Sequence, residues 1–137
     1  MSLRSKLDLA DEKLLVRADG VGRVLCSNGV EAFDAIHLNF ENLELVITVT
    51  ADTDEILISS SDASAVELPP DAVSCLCGYR GKAFGWYWSC LNSQGYEDSI
   101  MISFAGIEPS ICFLAEAAQV GIYYLSKQAP LLPEKSE

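Results

Sequence analysis

Between Arg23 and Arg80 the chain carries no lysine and no arginine. Across the whole sequence 9 basic side chains face 20 acidic ones, a net charge of −11. A surface of that sign repels phosphate backbones and anionic lipid, so neither nucleic acid nor a membrane surface is an expected partner. There is a single histidine, His37. One imidazole leaves little for acid–base catalysis, and pairing it with Cys90 as a thiol nucleophile has no supporting motif. Cys75-x-Cys77 is the one close cysteine pair, and its gap is too short for structural zinc. The five cysteines are an odd number, so they cannot all pair, and reduced cytoplasmic thiols are expected. The charged amino terminus shows no signal-peptide pattern. The most apolar stretch, 100–125, is broken by Glu108-Pro109 and Glu116, so it is no membrane span. Gly78-Tyr-Arg-Gly81-Lys82 lacks the spacing and the Lys-Ser/Thr pair of a phosphate loop.

What the chain has is concentrated between Phe84 and Phe104. Phe84, Trp86, Trp88 and Cys90 alternate, which predicts an extended strand with all four on one, inward, side. Asn92-Ser93-Gln94-Gly95 supplies a turn, with Gly95 free to take positive φ. Ile100, Ile102 and Phe104 alternate on the strand that follows. Each such side chain contributes roughly 1.5–3 kcal/mol when withdrawn from water, so this hairpin is expected in the core.

Leu3, Leu7, Ala10 and Leu14 recur at the helical period and predict an amphipathic helix over Leu3–Leu14. Val21–Cys26 reads as a strand ending at Asn28-Gly29, a type I′ hairpin signal. Strands over Ala35–Phe40, Leu43–Thr50 and Glu55–Ser60 follow by alternation, with Ala51-Asp52-Thr53-Asp54 as a turn. Residues 59–72 are a polar connector, and Asp71–Leu76 could form a helical turn stopped by Gly78.

One constant shift lays Cys26 on Cys90, Asn28 on Asn92, Asp34 on Asp98, Ile36 on Ile100, Leu38 on Ile102 and Phe40 on Phe104. After a two-residue insertion Ile47 falls on Phe113, Ala51 on Ala117 and Ile56 on Ile122. This predicts an internal repeat, 21–60 and 85–126, inside a single domain of residues 1–126, with a frayed tail over 127–137. The expected fold is mostly β (all-β or α+β): about eight antiparallel strands in two similar halves, forming a sandwich or a barrel, with an N-terminal helix. Strands over Ile111–Ala115 and Val120–Leu125 are apolar on both faces. The helix, the other half or a second subunit in a homodimer must cover them.

Two kinds of site suggest themselves. Ten acids fall in the interval without bases, and Glu41, Glu44, Asp52, Asp54 and Glu55 are its docking candidates for a basic protein partner. The competing reading of the same charges is a solvated surface that keeps the protein soluble. Asp52-x-Asp54-Glu55 offers oxygen ligands, but Ile56-Leu57-Ile58 follows where a calcium loop continues its ligands, so a self-bonded hairpin is expected there and no metal. Trp86, Trp88, Asn92, Tyr96 and Asp98 are the ligand-binding candidates: indoles stack flat ligands when exposed, though a Trp-x-Trp strand more often fills a core. Glu97 and Asp98 point to opposite faces and do not make a catalytic carboxylate pair. No catalytic residue or cofactor is assigned.

The block Gly85-Trp86-x-Trp88, Asn92-x-Gln94-Gly95-Tyr96-x-Asp98 and Phe104 resembles the signature of small bacterial proteins classed as a domain of unknown function. The resemblance covers about the second half. It implies a bacterial, cytosolic, stand-alone domain and no particular activity. The function expected from charge and size is a non-catalytic binding protein with an acidic docking face, in the manner of an immunity protein. The alternative is a small-ligand-binding barrel or an enzyme with an aromatic-lined pocket.

Overall fold

Side-chain alternation places the strands, and backbone pairing decides where they end. In the computed structural model, which describes residues 3–22, 24–25, 31–62, 68–106 and 108–125, α1 (Leu3–Asp8) is followed by eleven strands. They are β1 (Leu15–Val21), β2 (Val24–Leu25), β3 (Glu31–Phe33), β4 (Ala35–Phe40), β5 (Leu43–Val49), β6 (Ile56–Ser61), β7 (Val73–Cys75), β8 (Phe84–Leu91), β9 (Glu97–Phe104), β10 (Ile111–Glu116) and β11 (Gln119–Tyr124). A five-stranded antiparallel sheet runs β6-β5-β4-β1-β7, and a six-stranded one runs β2-β3-β11-β10-β9-β8. Their inner faces bury Ile36, Leu38, Phe40, Leu45 and Ile47 together with Ile100, Ile102, Phe104, Ile111 and Phe113 in one sandwich core. Leu3, Leu7 and Ala10 join that core, and Lys6 Nζ donates to the Ile58 carbonyl of β6 (3.2 Å).

The two sheets repeat one another. β1-β4-β5-β6 and β8-β9-β10-β11 are the same four-strand meander in the same order. Ile36 pairs with Ile47 as Ile100 pairs with Phe113, and Leu38 pairs with Leu45 as Ile102 pairs with Ile111. Ile47 pairs with Ile58 and Phe113 with Ile122, so Ile58, not Ile56, is the counterpart of Ile122. The repeat's first strand is β1 rather than 21–26, because Leu15 lies opposite Phe40 as Phe84 lies opposite Phe104.

The repeat reaches into a stretch where the sequences share little. Phe84 N–H donates to the Lys13 carbonyl (2.8 Å) and Leu15 N–H to the Lys82 carbonyl (3.0 Å). Glu12 N–H donates to the Phe84 carbonyl (2.9 Å) and Gly81 N–H to the Leu15 carbonyl (2.8 Å). One constant shift exchanges the members of each pair, and it sets Leu14 on Ala83, which bridge to each other. It also sets Glu12 (φ 66°) on Gly81 (φ 79°), and the bond Ala10 N–H to Leu7 carbonyl on Tyr79 N–H to Leu76 carbonyl. A local pseudo-twofold therefore passes between Leu14 and Ala83.

Several expectations change here. The helix stops at Asp8, and Leu14 is 52% exposed because the Leu14–Val16 run is drawn into the pairing with Ala83 and β4. Residues 73–75 are a strand on β1 rather than a helical turn, and a 3-10 turn forms at Cys77–Tyr79 after Leu76 at φ 55°. The helix lies by β6 and leaves Cys112, Leu114 and Tyr123 half-buried on the outer face of the six-stranded sheet. The Asn28-Gly29 turn and the tail from Lys127 lie outside the described residues.

The largest change is in β8. Phe84 pairs with Phe104 but Tyr87 with Ile102, so one extra residue is inserted opposite Ser103. Trp86 N–H donates to Ser103 Oγ (2.8 Å), and that hydroxyl donates to the Gly106 carbonyl (2.7 Å). A Cβ on Gly85 would sit 2.9 Å from Ser103 Oγ and 3.0 Å from the Gly106 carbonyl, which is why glycine stands there. The bulge reverses the alternation. Tyr87 follows Phe84 on the core side, their rings stacked at 6.3 Å, while Trp86 is 61% exposed and Trp88 is half-buried. The expected common inward face of Phe84, Trp86, Trp88 and Cys90 is thereby corrected.

Ser103→Ala leaves the buried bulge without its bridging hydroxyl and is expected to cost about 1–3 kcal/mol, read from the urea midpoint. Ala117 (φ 50°) and Ala118 (φ 65°) form the β10–β11 turn in the left-handed region, so Ala118→Gly is expected to gain about 1 kcal/mol in the same measurement.

Candidate functional site

The bulge and the short helix together shape a groove of about 680 Å³. One wall is α1 and the loop after it, with Arg4, Leu7, Asp8, Asp11 and Glu12. The other is the consecutive run from Phe84 to Ser89. Tyr87 ties the walls together: its hydroxyl donates to Asp8 Oδ1 (2.6 Å) and lies 3.3 Å from the Arg4 carbonyl. Burial, and then the hydrogen bond to the Asp8 carboxylate, push the Tyr87 phenol up to about 12. At neutral pH it is a fixed donor rather than a base. Aromatic surface on one side and carboxylates on the other suit a ligand with a flat or apolar body and positive charge.

Of the ligand-binding candidates, Trp86 and Trp88 line this groove, while Asn92, Tyr96 and Asp98 do not. Asn92 lies at the far end of β8, roughly 13 Å beyond Trp88 at the rise of an extended strand. Its Oδ1 accepts from the backbone N–H groups of Gln94 (2.9 Å) and Tyr96 (3.1 Å), closing the turn with Gly95 at φ 90°. Tyr96 and Asp98 are half-buried beside it.

The docking candidates are spread out. Glu41 sits exposed at the β4–β5 turn; exposed Asp52 and half-buried Asp54 and Glu55 lie at the β5–β6 turn, separated from it by the length of β5, roughly 20 Å. Asp54 Oδ1 accepts from Ala118 N–H (2.8 Å), joining the corresponding turns of the two repeats, and Glu55 N–H donates to Thr50 Oγ1 (3.1 Å). Glu44 is 2% exposed and meets His37 Nδ1 through Oε2 (3.1 Å). Among the described residues no group of three or more His, Cys, Asp or Glu side chains is arranged to hold a metal ion. The described cysteines are free, and burial pushes the Cys75 thiol up to about 12, which makes it inert.

Sequence reasoning missed Arg4, Asp8, Asp11, Glu12 and Tyr87. The acids and Arg4 form the polar side of the predicted helix, opposite Leu3, Leu7 and Ala10, and that side was the available signal. Tyr87 had none, because strict alternation put it outside.

Fold and site define a two-sheet antiparallel β protein with an aromatic groove along one sheet edge. The chain belongs to the Family of unknown function (DUF6334), which matches residues 8–129 and so takes in both halves, not only the tryptophan block. Comparison with curated proteins and with solved structures finds no match. No helix among the described residues is long and apolar enough to cross a membrane.

Tyr87→Phe is expected to cost under about 1 kcal/mol of global stability but to speed amide exchange across Leu3–Asp8. The phenol is raised from an ordinary 10 to about 12. The tether is therefore complete below pH 10 and lost as pH climbs towards 12, a loosening of α1 that the phenylalanine variant should not show.

Proposed function

We infer that this is a binding protein whose ligand occupies the groove between α1 and β8, lying against Trp86 and Trp88. The observation that carries the reading is Trp86: a large indole, 61% exposed, set in the wall of a concavity of about 680 Å³. Removing that surface from water is an available driving force, and the cavity is of the size that small ligands use. The bulge that turns the indole outward is built from a buried serine and a glycine without room for a Cβ, so the exposure is a feature of the backbone. A reducing, cytoplasmic setting in a bacterial cell fits the free thiols.

Docking of a basic protein partner across the 31–71 acids has less support. Glu44 is buried, Asp54 holds a neighbouring turn, and the turn acids lie at opposite ends of β5.

Both tryptophans of the chain lie in the groove, so their emission reports on it directly. Screening small aromatic and cationic compounds by tryptophan quenching is expected to yield saturable binders. Trp86→Ala should weaken them at least about tenfold while leaving stability within about 0.5 kcal/mol, as befits a surface position. Binders unaffected by Trp86→Ala would overturn the assignment.

A further inference from the structure

We propose that the open edge of β8 takes up an extended cationic peptide segment as an added antiparallel strand. This rests on the groove being the binding site and names the class of its ligand. β8 is the outermost strand of the six-stranded sheet, and among the described residues nothing pairs with its outer side beyond Phe84. A groove across a sheet face touches every second residue of a strand, whereas one along an edge touches each in turn. This groove is lined by Phe84 to Ser89 without a gap, so it follows the edge. Trp86 N–H is turned towards β9 by Ser103, so alternation turns the N–H and C=O of Tyr87 and Ser89 outward, into the groove.

The molecule contains its own template for what belongs there. In the other repeat, Ala18, Asp19 and Gly20 of β1 pair with Cys75, Ser74 and Val73 of β7. By their register against Leu38, His37 and Ile36, those β1 residues correspond to Tyr87, Trp88 and Ser89, which face Ile102, Met101 and Ile100. The counterparts of β7 are Arg4, Ser5 and Lys6, and these are coiled into α1 and cannot add to β8. An edge that is filled by a strand in one half is thus left open in the other. Charge selects the occupant: Asp8, Asp11 and Glu12 stand along the groove against Arg4 alone, and the indoles favour a cation over their faces.

The test uses an eight-residue capped peptide of alternating Lys and Val, its Glu/Val counterpart, and the Lys/Val peptide with alternate amides N-methylated. With the full chain, the Lys/Val peptide should shift tryptophan emission saturably and slow amide exchange of Tyr87 and Ser89 at least tenfold. The Glu/Val and N-methylated peptides should bind at least tenfold more weakly. Asp11→Lys should weaken the Lys/Val peptide about fivefold. Ser89→Pro, which deletes one outward N–H at an edge position, should weaken it tenfold or more. Should that proline variant fail to fold, the N-methylated peptide decides the same point on the unaltered chain. Equal binding of the N-methylated peptide, or amides of Tyr87 and Ser89 already protected in the free chain, would overturn the proposal. Small compounds that quench the tryptophans while no peptide binds leave the groove reading standing and remove this one; no binder of either kind removes both.

Discussion

Two chain segments, 12–15 and 81–84, run antiparallel past each other and exchange backbone hydrogen bonds through Glu12, Leu15, Gly81 and Phe84. The architecture depends on this crossing. It starts β1 and β8 side by side in different sheets, each then leading into its own meander, and so sets the two apolar faces against one another. The contacts are main-chain contacts, which is why Glu12 and Gly81, or Leu14 and Ala83, can be equivalent in place while unlike in side chain. Both positions at the entry to the crossing take positive φ. Gly81 does so freely, and Glu12 against the preference of an L-residue.

The groove comes from the breaking of that symmetry. In one half the chain just before the crossing is extended and lies on β1 as β7. In the other it is helical, is pulled towards β6 by Leu3, Leu7 and Ala10, and, among the described residues, leaves β8 with one bare side beyond Phe84. Natural sheets usually blunt such an edge with charge, a bulge or a covering element. β8 has a bulge at its start and carboxylates opposite, so it is guarded against its own kind yet accessible to an oppositely charged strand. Tyr87, turned inward by the bulge, links the core-facing ring of Phe84 to Asp8 on the helix, and thus ties the width of the groove to the packing beneath it.

Legibility from sequence followed the physics of each element. β4, β5, β9, β10 and β11 were readable because their inward positions are alternating apolar residues, Ile, Leu, Val and Phe with Ala115 at the end of β10. The correspondence of Ile36 and Phe40 with Ile100 and Phe104 in the repeat was readable for the same reason. β1 was not, since Leu14, Leu15 and Val16 are consecutive apolar residues and the bulge after Leu15 removes the period. Alternation alone places Trp86 inward, because a bulge leaves no mark in composition except Gly85, and glycine has many uses. Of the groove, the sequence showed the two indoles and the polar side of a short helix, without any sign that the two meet.

The chain by itself determined that there would be antiparallel strands, a repeated four-strand pattern, a turn at Asn92–Gly95 and an anionic surface, because these follow from residue identity and near-neighbour periodicity. Tertiary structure alone decided which tryptophan face sees solvent, where Glu44 hides, and which strand edge stays uncovered. Those depend on register shifts and on hydrogen bonds between residues some seventy positions apart, such as Glu12 and Phe84. No local pattern encodes such a partner, since the backbone groups that form the bond are the same in every residue.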